Sequence, residues 1–131
     1  MVNPRKVYVI DNGLVRACSR KTTPDWGHLL ENFVFLELRR HGADIAYYRT
    51  QKGREVDFCI TAADGTPRLI QVAAEMGDPN TIRREMTALD EAMAECGHAE
   101  ATLLTFATED HLKTASGRIH VRPAWKWALN I

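Results

Sequence analysis

The sequence predicts a single α/β domain built on a mixed β-sheet that is flanked by helices. Two segments with helical periodicity, 26–40 and 79–96, alternate with short runs of β-branched and aromatic residues. Three of these runs, between 45 and 73, are separated only by turns. That spacing predicts a hairpin-linked meander and argues against a doubly wound parallel sheet. A chain of 131 residues is long enough for one domain, 1–131, with its own hydrophobic core.

The first predicted strand runs from Lys6 to Ile10, a buried run that is rich in β-branched and aromatic residues. The residues Asp-Asn-Gly at 11–13 have turn chemistry and would end this strand. We expect the following stretch, 14–23, to be irregular.

The first long helix is predicted from Trp26 to Arg40, with Thr23 or Asp25 as its N-cap and Gly42 just beyond its end. Apolar residues cover nearly its whole circumference, so we expect a mostly buried helix. Its polar strip consists of His28, Asn32 and Arg39.

The meander follows as strands at 45–49, 53–60 and 69–73, joined by turns that contain glycine or proline. A second helix is predicted to begin after Asp78 and to end at Gly97, with a one-sided apolar stripe that indicates core packing. The remaining predicted elements are strands at 101–106 and 119–122 and a terminal helix at 124–129, in which Trp125 and Trp127 would cover the core.

The balance of positive and negative charges bears on whether the chain binds nucleic acid. Seventeen Lys and Arg residues are matched by seventeen Asp and Glu residues, giving a formal net charge of +0. A domain that holds DNA alone usually has a basic excess, so the balance counts against tight, autonomous nucleic-acid binding. No apolar run is long enough to cross a membrane, and the N-terminal residues do not have the pattern of a signal peptide.

The three cysteines, Cys18, Cys59 and Cys96, are odd in number and have no Cys-x-x-Cys spacing. This pattern favours reduced, buried thiols and a cytoplasmic location over disulfides or a zinc site. The five histidines likewise show no metal-ligand spacing.

The residue that most needs an explanation is Asp57, a carboxylate within the apolar strand 53–60. Burial of a carboxylate without a partner is costly. Strict alternation divides the strand into one face with Glu55, Asp57 and Cys59 and another with Val56, Phe58 and Ile60. On the next strand, alternation turns Gln71 and Ala73 to the same face.

This arrangement resembles the site of the PD-(D/E)xK nuclease superfamily, which takes a Glu from the first helix, an Asp from one strand and a Glu-x-Lys from the next. The matching segments here are Gly27-His28-Leu29-Leu30-Glu31, Glu55-Val56-Asp57 and Ile70-Gln71-Val72-Ala73. The resemblance implies a restriction-endonuclease-like core and catalytic roles for Glu31, Asp57 and Gln71. It also implies that Glu31 and Asp57 are the ligands of a Mg²⁺ ion.

Two departures weaken the nuclease prediction. Gln71 stands where the second acid is expected, and its neutral amide adds no charge to a metal site. Ala73 stands where the lysine is expected, so that Lys52 or Arg54 would have to replace it. The chain therefore resembles a degenerate member of the superfamily.

A group of basic residues could converge on the predicted site. Arg49, Arg54 and Arg84 are the candidates for contacts with nucleic-acid phosphates, without any cleavage. In the alternative interpretation, Arg84 pairs with Asp57 or Glu31, so that the lost catalytic site has become a structural salt bridge.

A closer resemblance covers almost the whole chain. The segments that carry it are Asn3 to Leu14, Leu30-Glu31-Asn32, Tyr48-Arg49-Thr50, Gly53 to Phe58, Ile70-Gln71-Val72, Thr81-x-x-Arg84-Glu85 and Pro123-Ala124-Trp125-x-Trp127. They resemble a domain of unknown function that follows the ATPase module in a large family of bacterial and archaeal AAA-type ATPases. The resemblance implies a nuclease-like C-terminal module of a longer ATPase, with the ATPase module as its partner. The chain itself has no Gly-x4-Gly-Lys-Ser/Thr phosphate loop and hence no predicted ATP site.

The sequence thus predicts an accessory module without catalysis that binds a protein partner or nucleic acid. The alternative is a Mg²⁺-dependent DNA endonuclease. A basic concave face around Asp57 would favour nucleic acid, and an exposed apolar surface at Trp125 or Tyr47 would favour a protein.

Overall fold

The computed structural model describes residues 6–18, 23 and 25–130. The helices within these ranges are α1 (Asn12–Cys18), α2 (Trp26–Arg40), α3 (Pro79–Cys96) and α4 (Ala124–Leu129). The strands are β1 (Ile45–Arg49), β2 (Glu55–Thr61), β3 (Pro67–Val72), β4 (Glu100–Thr105), β5 (Asp110–Lys113) and β6 (Arg118–Pro123). None of these helices has both the length and the apolar character that a membrane span requires.

The strands form one six-stranded mixed sheet with the order β1-β2-β3-β4-β6-β5. β1, β2 and β3 are antiparallel neighbours, as a meander requires. β4 is parallel to both β3 and β6, and β5 returns antiparallel to β6 at the edge. The predicted mixed sheet with flanking helices is therefore confirmed, whereas β5 was not predicted.

Helices cover both faces of the sheet, so that the core has two halves. On one face α3 packs through Leu89, Ala92 and Met93. On the other face α2 packs through Leu30, Val34 and Leu38, and α4 through Ala124. Because both faces are covered, the central strands carry apolar residues on both sides.

Local capping explains where the two long helices begin and end. The side chain of Asp25 accepts a hydrogen bond from the backbone N–H of His28 at 3.1 Å, which confirms one of the two predicted caps of α2. Asp78 caps α3, and Gly97 ends it in the left-handed conformation, with φ at 65°.

The N-terminal prediction is wrong, because residues 6–10 form no strand. Val7 and Ile10 are 74% and 82% exposed, and the segment pairs with no strand of the sheet. It lies against α2 instead, where Tyr8 stacks on Phe35 with ring centroids 4.1 Å apart. We call residues 6–10 the N-terminal strap.

Asn32 of α2 holds the strap. Its Oδ1 accepts a hydrogen bond from the N–H of Val9 at 2.8 Å, and its Nδ2 donates one to the carbonyl of Val9 at 2.8 Å. These are the two bonds that a neighbouring strand would otherwise offer to Val9. Asn32, one of the three residues of the predicted polar strip of α2, is fully buried.

Two further expectations are corrected. α1 occupies residues that were expected to form a turn and an irregular stretch. At the start of α1, the side chain of Asp11 accepts hydrogen bonds from the N–H groups of Gly13 and Leu14. The rest of the expected irregular stretch, 19–22, lies outside the described residues. Trp125 is half-exposed and does not cover the core, while Trp127 packs against it.

Candidate functional site

The candidate site begins at an irregularity in β2. Ala46 pairs with Cys59 and Tyr48 pairs with Val56, so that two residues of β2 lie opposite one residue of β1. A β-bulge of this kind interrupts the alternation of side chains. As a result, Val56 packs in the core half under α3, while Phe58 packs in the half under α2. The predicted alternation is therefore wrong at Val56.

Asp57 lies within the bulge, and three hydrogen bonds fix it. Its Oδ2 accepts a bond from the backbone N–H of Val72 at 2.9 Å, and its Oδ1 accepts one from Nζ of Lys6 at 2.6 Å. Its own N–H donates to Oε1 of Gln71 at 2.8 Å. The carboxylate thus has the partners that its burial requires.

The ammonium group of Lys6 joins Asp57 to Glu31 of α2. Nζ of Lys6 lies 3.0 Å from Oε1 of Glu31 and 2.6 Å from Oδ1 of Asp57. The hydroxyl of Tyr8 donates a further hydrogen bond to the same Glu31 oxygen at 2.9 Å. Glu31 and Asp57 therefore converge on one cation, as a metal site would require, but the cation is a lysine of the strap. We call Lys6, Tyr8, Glu31 and Asp57 the acidic site.

Burial and mutual repulsion control the protonation of these groups. Burial, followed by the negative charge of Glu31, raises the pKa of Asp57 from 3.8 to about 6, against the lowering effect of Lys6. Burial acts to lower the pKa of Lys6, but the attraction of Asp57 and Glu31 outweighs it and the pKa is raised. Burial and the charge of Glu31 also raise the pKa of Tyr8, which stays a hydrogen-bond donor.

Gln71 is close to Asp57, but it faces α3. Its Nε2 donates to a carboxylate oxygen of Glu85 and, at 3.4 Å, to the carbonyl of Glu55. Its Oε1 already accepts the N–H of Asp57. To act as a third metal ligand, Oε1 of Gln71 would have to use its second lone pair beside that bond. The structure thus brings Gln71 beside Asp57 in a buried network of its own.

Three of the candidate basic residues form ion pairs with carboxylates of α3 rather than with Glu31 or Asp57. Nε of Arg54 lies 2.9 Å from Oε1 of Glu91 on α3, and Nζ of Lys52 lies 4.0 Å from the same oxygen. Nη2 of Arg84 lies 3.3 Å from Oε1 of Glu85. Lys52 faces Glu91, and its predicted replacement of the missing catalytic lysine stays a prediction.

A polar cavity of about 290 Å³ lies beside Asp57. It is lined by Arg54, Glu55, Asp57, Gln71, Arg84, Glu85 and Ala88. Two guanidinium groups are thus outnumbered by three carboxyl groups, so this concavity is not the basic face that nucleic-acid binding would favour. Arg49, the third candidate for phosphate contacts, is exposed on β1 and is not among these lining residues.

The acidic site as it stands does not fit the Mg²⁺ ion that the nuclease resemblance implies. Glu31 and Asp57 would be its ligands, but the ammonium group of Lys6 lies within hydrogen-bond distance of both. Across the described ranges, no group of three or more His, Cys, Asp or Glu side chains is arranged to hold a metal ion. The arrangement can pair charges without any metal.

Sequence reasoning missed three members of this region: Lys6, Tyr8 and Glu85. A buried pair of acidic side chains requires a nearby cation, and the sequence alone indicates that requirement. Which cation it is depends on contacts across 25 and 51 residues of chain, which no local pattern reveals.

A second surface of interest is apolar and open. Trp26, Phe106 and Trp125 are 51%, 41% and 50% exposed. Trp26 and Phe106 meet edge to face, with ring centroids 6.0 Å apart. They border a cavity of about 390 Å³ whose other lining residues are Asn12, Gly13, Leu29, Leu30, Phe33, Thr105 and Ala124. We call the three exposed aromatic residues the aromatic surface.

Two curated relatives resemble this chain in sequence. An uncharacterized protein of Methanocaldococcus jannaschii is 34% identical over 133 residues, which is 95% of this chain and 29% of that protein. An uncharacterized protein of Haemophilus influenzae is 35% identical over 71 residues, which is 54% of this chain and 17% of that protein. The chain thus spans less than a third of the length of either relative.

Among solved structures, the fold resembles a chain in a half-complex of the tetradecameric assembly of Thermococcus gammatolerans McrB AAA+ hexamers with bound McrC. The TM-score is 0.52 at 9% sequence identity, over 76% of this chain and 28% of that one. At this identity the likeness concerns the fold alone. The model of the family described as Domain of unknown function (DUF4143) matches residues 26–127, most of the chain, and the protein therefore belongs to that family.

Proposed function

We propose that this protein is a non-catalytic accessory module of an AAA-type ATPase and that it binds its ATPase partner through the aromatic surface. The observation that carries the proposal is the ammonium group of Lys6 between Glu31 and Asp57. In this proposal, a nuclease-like fold has kept its acidic residues and uses them as a structural ion-pair network.

Catalysis by a metal-dependent nuclease places three requirements on its site. Such a site needs free carboxylate oxygens, a metal with open positions for water, and a cation beside the scissile phosphate. Here Lys6, Tyr8 and the N–H of Val72 already bind the carboxylates. The position expected to hold the catalytic lysine is Ala73, which is buried and uncharged.

A protein partner is favoured over nucleic acid by the contrast between two concavities. The cavity beside Asp57 mixes arginines with carboxylates, and the whole chain has no net charge. The aromatic surface, in contrast, presents three large apolar side chains around an apolar cavity. Exposed apolar clusters of this kind mark association sites in soluble proteins.

Two findings support an ATPase as that partner. The solved structure that shares the fold comes from an assembly of AAA+ hexamers. The two curated relatives are more than three times as long as this chain, so in them the equivalent domain is attached to a larger body. A cytoplasmic location belongs to the same proposal and is supported by the free thiols of Cys59 and Cys96.

The test is a binding titration with the remainder of the Methanocaldococcus jannaschii relative, produced without its matching segment. We expect this chain to bind it and the double variant Phe106→Ser/Trp125→Ser to lose affinity by about tenfold or more. Tyr47→Ser is the matched control, because Tyr47 is an exposed aromatic residue on the far edge strand β1. Equal affinities for the wild type and the double variant would overturn the assignment to the aromatic surface.

The second candidate, a Mg²⁺-dependent nuclease, is favoured by the convergence of Glu31 and Asp57 on one cation. It would require Lys6 to leave the acidic site. Calorimetric titration with Mg²⁺ and Mn²⁺ separates the two functions when wild type, Lys6→Ala and Asp57→Asn are compared, alongside cleavage assays on branched and single-stranded DNA. We expect no saturable binding and no cleavage by the wild type. Metal binding by the wild type that Asp57→Asn abolishes, together with cleavage, would establish the nuclease instead.

A further inference from the structure

Two histidines face each other on the edge of the sheet that is opposite the meander. His111 of β5 and His120 of β6 are direct partners in the antiparallel ladder. Their Nδ1 atoms lie 3.2 Å apart, and their ring planes are nearly perpendicular, at 89°. Neither residue belongs to the acidic site or the aromatic surface.

We propose that His111 and His120 form a binding site for a divalent transition-metal ion of the kind that prefers imidazole, such as Zn²⁺ or Ni²⁺. Imidazole nitrogens bind Zn²⁺ at about 2.0–2.1 Å. Two nitrogens that are 3.2 Å apart would then enclose an angle of about 100° at the metal, which is close to tetrahedral. The ladder partners therefore present two donors at the separation that such an ion requires.

Glu100 of β4 supports the required tautomer of His120. Its Oε1 lies 3.7 Å from Nε2 of His120, the ring nitrogen opposite to the one that faces His111. A carboxylate on that side favours a proton on Nε2 and leaves the lone pair of Nδ1 free for a metal. Metal-binding histidines in proteins commonly have such an outer carboxylate partner.

The surrounding charges set limits on the affinity. Lys113 and Arg118 form the next ladder pair that lies on the same side of the two strands, and their positive charges oppose a cation. Glu100 and Glu109 offset them: Glu109 interacts electrostatically with His111, although it also pairs with Lys126 at 2.6 Å. With two protein ligands in the described ranges, water completes the coordination. We therefore expect a site of moderate affinity, open on one side.

The same geometry would also suit a simple N–H···N hydrogen bond between two neutral imidazoles, so the experiment must separate the two. The test is calorimetric titration of the whole chain with Zn²⁺ and with Ni²⁺ at about pH 7.5, where unperturbed imidazoles are neutral. Mg²⁺, which prefers oxygen ligands, serves as the negative control. Heteronuclear NMR of the imidazole rings reports which nitrogen binds.

We expect saturable binding that His111→Gln and His120→Gln each weaken by about tenfold or more. His98→Gln is the matched control and should bind like the wild type, because His98 lies in the connection between α3 and β4 and is not part of the β5–β6 ladder. Cys59→Ser should also leave the affinity unchanged, which excludes the Cys59 thiolate as the ligand. Glu100→Gln should weaken binding less than the loss of a ligand does.

The metal should also raise the thermal midpoint of the wild type and of His98→Gln, since it ties the edge strand β5 to β6. The midpoints without metal verify that each variant is folded. If the wild type shows no saturable binding below about 1 mM, or if His111→Gln and His120→Gln bind as it does, the pair is only hydrogen-bonded and the proposal fails.

Discussion

The acidic site and the aromatic surface differ in whether their side chains have partners within the chain. In the acidic site, two carboxylates, a lysine, a tyrosine and a backbone N–H bind one another through hydrogen bonds. Across the described residues, no buried side-chain nitrogen or oxygen lacks a partner. The aromatic surface has large apolar side chains exposed to water.

This contrast indicates which surface could still gain free energy by binding a partner. Buried polar groups that bind one another stabilise the fold and leave fewer donors and acceptors for a ligand. Exposed apolar area can still be removed from water, at about 25 cal/mol per Å², when another surface covers it. Substitutions in the acidic site should therefore lower stability, whereas those in the aromatic surface should lower association.

The largest effect is expected from Asn32→Leu. This change removes both hydrogen bonds to Val9 and leaves that backbone without partners, so the free energy of unfolding should fall by about 3 kcal/mol. Urea denaturation measures it. Asn80→Leu is the matched control, since Asn80 is exposed on α3 and its replacement should cost less than about 0.5 kcal/mol. Equal costs for the two variants would mean that Asn32 does not hold the strap.

Lys6→Met should lower the free energy of unfolding by about 2 kcal/mol, because it leaves two carboxylates together without a cation. The cost stays below that of a fully buried pair, since the side chain of Lys6 is 28% exposed. Lys126→Met is the matched control: its ion pair with Glu109 lies at the surface and should contribute at most about 1 kcal/mol. A Lys6→Met variant as stable as Lys126→Met would show that the acidic site is not a structural element.

The pH dependence tests the same region without removing the lysine. Because the pKa of Asp57 is raised from 3.8 to about 6, the folded protein binds this proton more tightly than the unfolded chain does. The contribution of Asp57 to stability should therefore be greatest below about pH 4 and decrease by about 1 to 2 kcal/mol as the pH rises to 6.

The measurement is the difference in unfolding free energy between the wild type and Asp57→Asn at several pH values. Subtraction removes the titration of the groups that do not interact with Asp57. A difference that is constant from pH 4 to pH 6 would contradict the raised pKa.

The smallest effect on stability is expected at the aromatic surface. Trp125→Ser should change the free energy of unfolding by less than about 1 kcal/mol, because half of the side chain is already exposed. Trp127→Ser, in the same helix, should cost more, since Trp127 packs against the core. If Trp125→Ser lowers the free energy of unfolding as strongly as Trp127→Ser does, the aromatic surface stabilises the fold and is not free to bind a partner.

The parts of the fold that the sequence predicted correctly are those with local causes. The ends of α2 and α3 follow from Asp25, Asp78 and Gly97, whose effects act within one turn of helix. β5 was missed because Asp110-His111-Leu112-Lys113 contains one apolar residue and has no strand pattern of its own. This segment is a strand because it pairs with β6.

The errors arise from competition between distant parts of the chain. Val7-Tyr8-Val9-Ile10 has the composition of a strand, but the side chain of Asn32 takes up the backbone groups of Val9. The nuclease resemblance implied that Glu31 and Asp57 bind one Mg²⁺ ion, whereas the structure brings both carboxylates to Nζ of Lys6. The alternative interpretation paired Arg84 with Asp57 or Glu31. In the structure Arg84 pairs with Glu85 instead, and Lys6 pairs with the two carboxylates.

The attachment of the N-terminal strap has a consequence for hydrogen exchange. Side chains hold this segment, whereas ladder hydrogen bonds hold the strands, so the strap can open while the sheet stays intact. The amide proton of Val9 should then exchange with solvent deuterium through a local opening that costs less than global unfolding. In that brief open state, Glu31 and Asp57 would face water without their lysine, so the exchange rate of one amide reports how often the acidic pair is exposed.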